Sequence, residues 1–266
     1  MTDITLPQPS TPASQATVVE QSRAVAEVQA AVVVARANPR DIDRAVADMR
    51  DTCSRMAVAE RAFWQVPNRG TGLSVHLLRE LARIWGNIDY GVRELRRDVD
   101  AGESEMSAWA WDQQTNTRST RSFIQPHARM KAKRREALTD LHDIYLSNQN
   151  TGARAVRECI STVLPDWFIS EAQTVCHRTL EHGEGKSAEV RAREAVAAFE
   201  KIGVTRAQLE EYTERKVAKW EPETLANVAR VYSSITQDGI PAADFFPEKV
   251  VQVATKPAQD EGEVQA

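Results

Sequence analysis

A chain of 266 residues is long enough to bury a sizeable core, and 42% hydrophobic with 27% charged residues is the make-up of an ordinary globular protein. The formal net charge of −4 and a pI near 5.8 argue against a uniformly basic nucleic-acid binder. No apolar run approaches the roughly 20 residues that cross a bilayer. Three cysteines (Cys53, Cys159, Cys176) without a CxxC pair argue against a disulfide framework and a zinc site, and predict a reducing cytoplasm.

Residues 1–15 are rich in Pro, Ser, Thr and Gln, lack the basic and apolar regions of a signal peptide, and are expected to be disordered. Val18, Val25, Val28, Val32 and Ala35 then repeat at helical spacing, predicting a helix from about Thr17 to Ala37 that Asn38-Pro39 stops. A second helix is expected from Pro39 to Arg55, then a short helix or turn into an extended segment carrying Phe63 and Trp64. Residues 67–72 are a turn cluster. A helix over 73–85 follows, with Leu77, Leu78, Leu81 and Ile84 inward and Arg79 and Arg83 together on its exposed side. Gly86-Asn87 closes it with a left-handed cap.

Three strands are predicted next, over 88–98, 105–112 and 118–125, joined by Asp-Ala-Gly-Glu-Ser and Gln-Thr-Asn-Thr turns. Period-2 alternation puts Trp109 and Trp111 on one face, as core or as a stacking platform, and sets Arg121 and Phe123 opposite Thr120, Ser122 and Ile124. A long helix runs from about Leu138 to Leu164, weakened at Gly152 by roughly 1 kcal/mol against alanine, with Arg154 and Arg157 one turn apart. Further helices are read over 166–181, 187–201, 205–217 and 222–236, with a flexible break at 182–186. The fold class is therefore α+β: a three-stranded antiparallel meander flanked by helices, with a small helical C-terminal module. The division is 1–15 disordered, 16–182 main domain, 183–248 helical module and 249–266 disordered tail.

Between residues 118 and 135 stand Arg118, Arg121, Arg129, Lys131, Lys133, Arg134 and Arg135, with no Asp or Glu. A local field of this kind can hold a polyanion although the average charge is negative. A solvated charged face is the plainer alternative. Catalysis has less support. The chain has no GxxxxGK[ST] or GxGxxG loop, no HExxH, and five scattered histidines. Asp112, Asp140 and Asp143 are the carboxylates that a metal-dependent nuclease could use, but the usual Asp followed by Glu-x-Lys is missing.

The pieces IWGNIDYGVREL, AWAWDQQTNTRSTRSF and NQNTGARAVRECISTVLP, in that order, resemble phage single-strand annealing proteins of the RecT/Redβ group, over roughly residues 20–182. The resemblance implies ATP-independent binding of single-stranded DNA and annealing of complementary strands, with no cofactor and no catalytic residue. It implies self-assembly into rings or helical filaments, and a basic groove built from the sheet and the helix after it. Carried onto this chain, the groove residues are Arg118, Arg121, Lys131, Lys133, Arg134, Arg154 and Arg157, with Arg69 and Arg79 in a second tier. The segment from Lys201 to Gly239 is similar to C-terminal modules that recruit the host single-strand binding protein or a partner exonuclease. A bacterial host's cytoplasm is the implied location. The rival expectations are a scaffold or assembly protein whose basic strip grips an acidic partner, and a nuclease subunit.

Overall fold

The computed structural model describes residues 15–67, 70–131 and 134–247. The disorder expected over 1–15 and 249–266 lies outside the described residues except at Gln15, which is helical. The chain opens with α1 (Gln15–Ala37), α2 (Ile42–Cys53) and α3 (Met56–Ala59), then a hairpin of β1 (Phe63–Val66) and β2 (Gly70–Leu73). Helix α4 (Val75–Trp85) leads into β3 (Ile88–Asp98), β4 (Glu103–Asp112) and β5 (Thr117–Pro126), an antiparallel sheet in that order. A second hairpin, β6 (Ala128–Lys131) with β7 (Arg134–Ala137), precedes α5 (Leu141–Val163) and α6 (Asp166–His182). The C-terminal part holds α7 (Ala188–Lys201), α8 (Arg206–Tyr212), α9 (Pro222–Thr236) and α10 (Ala242–Phe245). The α+β meander is as expected. The two hairpins and α10 are additions to the sequence-based expectation, and α8 ends five residues earlier than the expected helix over 205–217.

Local chemistry sets the helix starts. Ser74 accepts from the Leu77 amide, Asp140 from the His142 and Asp143 amides, and Thr205 forms a capping box with Gln208. Gly86 (φ 74°) and Asn87 (φ 56°) take the positive dihedrals that turn the chain from α4 into β3.

The main core lies between the sheet and helices α2, α4, α5 and α6, with Met49, Leu77, Leu81, Trp85, Ile160 and Phe168 all buried. Helix α5 crosses the inner face of the sheet at close range. Its Cys159 sulfur lies 3.7 Å from the Ala108 carbonyl oxygen, and a Cβ built on Gly152 would sit 2.7 Å from Val92 Cγ2. Gly152 is thus the close-approach point of helix and sheet, which accounts for a residue that local helix propensity disfavours. A second core, with Phe199, Leu209, Trp220, Val228 and Phe246, fills the C-terminal helices. Ala226 of α9 belongs to the main core, and the Gln65 amide donates to Ser234 Oγ at 2.7 Å, so α9 joins the two.

At the end of β4, Arg40 and Asp112 form a buried ion pair, with 7% and 3% of their side chains exposed, through bonds of 2.6 and 2.8 Å. The Arg40 guanidinium also lies 4.8 Å from the Trp85 ring. Asn87 Nδ2 donates to the Asn38 carbonyl and to Gln114 Oε1, both at 3.0 Å. These contacts root the α1–α2 connection on the β4–β5 turn. Beyond that root α1 is exposed: among its described side chains only Ala31, Val32 and Ala35 are covered, while Val18, Val19, Val25, Val28, Val33 and Val34 face solvent.

Candidate nucleic-acid interface

Strand pairing fixes which side chains share a face of the sheet. Ser104, Met106, Ala108, Ala110 and Asp112 of β4 point inward to α5 and the core, and all are buried. Glu105, Ser107, Trp109 and Trp111 point to the opposite, outer face, beside Asp89, Gly91 and Arg93 of β3 and Arg118, Thr120, Ser122 and Ile124 of β5. That β5 row is solvent-exposed throughout.

The tryptophans are therefore not part of the core under the sheet. Trp109 is half-buried; its indole lies over Gly91, where a Cβ would come within 2.6 Å of the ring. Its Nε1–H donates to Asp89 Oδ2 at 2.7 Å, and the Arg93 guanidinium sits 4.5 Å from the ring centroid. Glycine opposite an indole lets the ring lie flat on the strand, and the aspartate fixes its in-plane rotation. Trp111 is covered, with its Nε1–H donating to Asn116 Oδ1 at 3.1 Å and Arg118 6.0 Å from its ring.

The expected cationic strip divides. Arg118 lies opposite Trp111 on the outer face, whereas Arg121 lies opposite Ala108 and so points to the α5 side. Three residues apart on a strand is an odd spacing, so one flat floor cannot hold both. What they share is the outer edge of β5, which has no strand partner beyond it among the described residues. The β6–β7 hairpin continues the strip. Arg134 lies opposite Lys131 across the hairpin, and Arg134 and Arg135 are exposed. Arg129 is neutralised by Glu136 at 3.2 Å and Asp143 at 3.8 Å. Among the described residues Arg118, Arg121, Arg134 and Arg135 form no ion pair. Lys133 and Arg69 lie outside the described residues, and so does the side chain of Lys131.

The remaining expected residues go elsewhere. Arg157 pairs with Glu158 at 3.1 Å and packs 5.3 Å from the Trp64 ring. With the exposed Arg154 it stands on α5, across the sheet from Trp109, within electrostatic reach of Asp238. Arg83 is exposed but paired with Glu80, while Arg79 is half-buried with its Nε enclosed, so the two do not share an open side of α4.

A buried polar knot fastens the hairpin to the sheet. Ser104 Oγ donates to Glu94 at 2.6 Å, receives Asn148 Nδ2 at 3.1 Å, and lies 2.8 Å from His127 Nε2. His127 joins β5 to β6, and its carbonyl accepts from the Leu138 amide at 2.8 Å. The base of the hairpin is thereby anchored at the C-terminal end of β5.

The three candidate metal carboxylates are all engaged. Asp112 is pushed up by burial but pulled further down by Arg40 and the Thr115 amide, so its carboxyl sits below the usual range. Asp140 caps α5 and Asp143 faces Arg129. No cluster of three or more His, Cys, Asp or Glu suited to a metal ion occurs among the described residues, and no helix there is long and apolar enough to cross a membrane. Sequence reasoning missed Arg93 and the β6–β7 hairpin. A lone glycine within a strand, Gly91, was the available signal for the flat indole. Comparisons with family profiles, curated proteins and solved structures give no match for this chain.

Proposed function

We propose that the protein binds single-stranded DNA along the free edge of β5 and anneals complementary strands without nucleotide hydrolysis. One observation carries this reading. A flat, half-open Trp109 with Arg93 stacked on it shares the outer face with Arg118, and unpaired arginines continue along the adjoining edge and hairpin. An indole takes any base, at about 1–3 kcal/mol per stacked base, so the grip is indifferent to sequence. The arginines neutralise phosphates, which lowers the repulsion between two strands brought side by side. Annealing then needs no catalytic residue, because base pairing supplies the driving force.

Self-assembly into rings or filaments on the strand belongs to the same reading, and the exposed valines of α1 support it. Recruitment of a host single-strand binding protein or a phage exonuclease is assigned to the C-terminal helices. There a groove of about 640 Å³ between α7 and the residues after α8, floored by Ala192, Val196 and Trp220, supports it. A bacterial cytoplasm is the setting.

The test is oligonucleotide binding and annealing across a salt series, with and without magnesium and ATP. Arg118→Ala with Arg121→Ala should weaken binding and flatten the logarithmic salt slope by about 1.4, at about 0.7 per lost phosphate contact. Wild-type affinity and slope in the double variant would refute the edge assignment. Strand degradation in magnesium would point instead to a nuclease.

A further inference from the structure

Arg61, His76 and Arg79 converge on a cavity of about 240 Å³ between the α3–β1 connection and the first turns of α4. Its one acidic wall residue, Glu80, is committed to Arg83 through bonds of 2.5 and 3.2 Å. Neither Arg61 nor Arg79 is paired with a carboxylate among the described residues, and Arg79 Nε is buried without any hydrogen-bond partner. An enclosed donor left unmade costs about 1–3 kcal/mol, so this is an unbalanced, donor-rich wall.

The wall is held in place. The Ser74 hydroxyl donates to the Arg61 carbonyl, and the Ser74 amide donates to the Ala62 carbonyl at 2.8 Å. Arg61 lies 3.2 Å from His76 Nδ1. A guanidinium can only donate, so Nδ1 accepts and the ring proton is on Nε2. Burial, and then the charges of Arg61 and Arg79, hold the His76 imidazole below its ordinary pKa. Neutral His76 is thus a further donor, not a competing charge.

We propose that this cavity binds a phosphate group, Arg61 and Arg79 taking the anion's oxygens and His76 Nε2–H completing the grip. Paired guanidinium donors suit phosphate geometry, and charge-assisted hydrogen bonds are the strong ones. The proposal does not depend on DNA binding by the sheet. The shared chemistry covers a free phosphate and a phosphate of a nucleic-acid strand. A bound anion opposes the two arginine charges beside the ring, so it raises the His76 pKa. The groups facing the ring are Arg61 from the α3–β1 connection and Arg79 from α4, with Glu80 held by Arg83.

The experiment follows the His76 ring signal of the full-length protein by NMR while inorganic phosphate is added, against chloride at matched ionic strength. A saturable shift with a raised His76 pKa is expected. Arg79→Gln and, separately, Arg61→Gln should each weaken it about tenfold or more, the rest of the spectrum reporting an intact fold. A His76 response to oligothymidylate that phosphate displaces would identify the strand as the source; a response to phosphate alone would identify a free phosphate. The same signal change in chloride, or wild-type phosphate binding in both variants, overturns the site. Failure of the sheet to bind DNA would appear in the gel shift and not in the phosphate titration.

Discussion

The inner and outer faces of the β3–β4–β5 sheet are made by alternate residues of the same strands, yet they answer to different demands. The inner face carries Ala108, Ala110 and Met106, cut to fit α5, and ends in the sealed Arg40–Asp112 pair. The outer face carries Trp109 flat on Gly91 under Arg93, and leaves Thr120, Ser122 and Ile124 to solvent. Each face has a glycine at its closest contact: Gly152 of α5 meets Val92 from the inside, and Gly91 meets Trp109 on the outside. The first spacing serves packing and the second sets the pose of an indole. The two faces should therefore fail differently when disturbed.

The largest expected loss is on the inner side. Arg40→Ala leaves Asp112 buried and unpaired, and should cost about 3–5 kcal/mol, read as a lower urea midpoint. The pH dependence follows from the same pair. Asp112's carboxyl is held below its unfolded value, so its stabilising contribution is full above about pH 4 and is lost as pH falls through the depressed pKa. Wild type should show this acid loss and the Asp112→Asn variant should show less of it.

Next comes the outer face. Trp109→Ala should lower oligonucleotide affinity by about 1–3 kcal/mol and move stability by less than about 1 kcal/mol. An unfolding midpoint that falls further while binding holds would make Trp109 a packing residue and erase the distinction between the faces. The smallest and most direct contrast is one substitution made on each side. Gly152→Ala adds helix propensity yet forces α5 off Val92, with a net loss of about 1 kcal/mol of stability and unchanged affinity. Gly91→Ala should tilt the indole and cost a few-fold in affinity with stability nearly unchanged. Calorimetry and a binding titration on both variants check the pair.

Much of the sheet was legible in advance because alternation and turn residues marked its strands: predicted limits of 88–98, 105–112 and 118–125 compare with observed strands of 88–98, 103–112 and 117–126. The short hairpins were not. β7 is Arg134–Ala137 with every residue exposed, so no apolar period marks it. The Arg40–Asp112 pair joins residues 72 apart, beyond any local spacing rule. The charge of the 118–135 strip was readable, but its division between two faces required the register, which sets Arg118 against Trp111 and Arg121 against Ala108. Arg79 was placed on an open helix face from its spacing alone, and only the fold brings Arg61 and His76 round it.

The root of α1 has a mechanical consequence. A helix of 23 residues is ~34 Å long at 1.5 Å per residue, and Asn87 and Arg40 root its C-terminal end against the β4–β5 turn. On that root it is a lever arm. Whatever loads its far end exerts a torque on that clamp, and the sheet turn that receives the torque lies directly beside Trp111 and Arg118. A pull on the helix tip and the attitude of the sheet's outer surface therefore meet at one footing, made of an enclosed ion pair and the Asn87 hydrogen bonds.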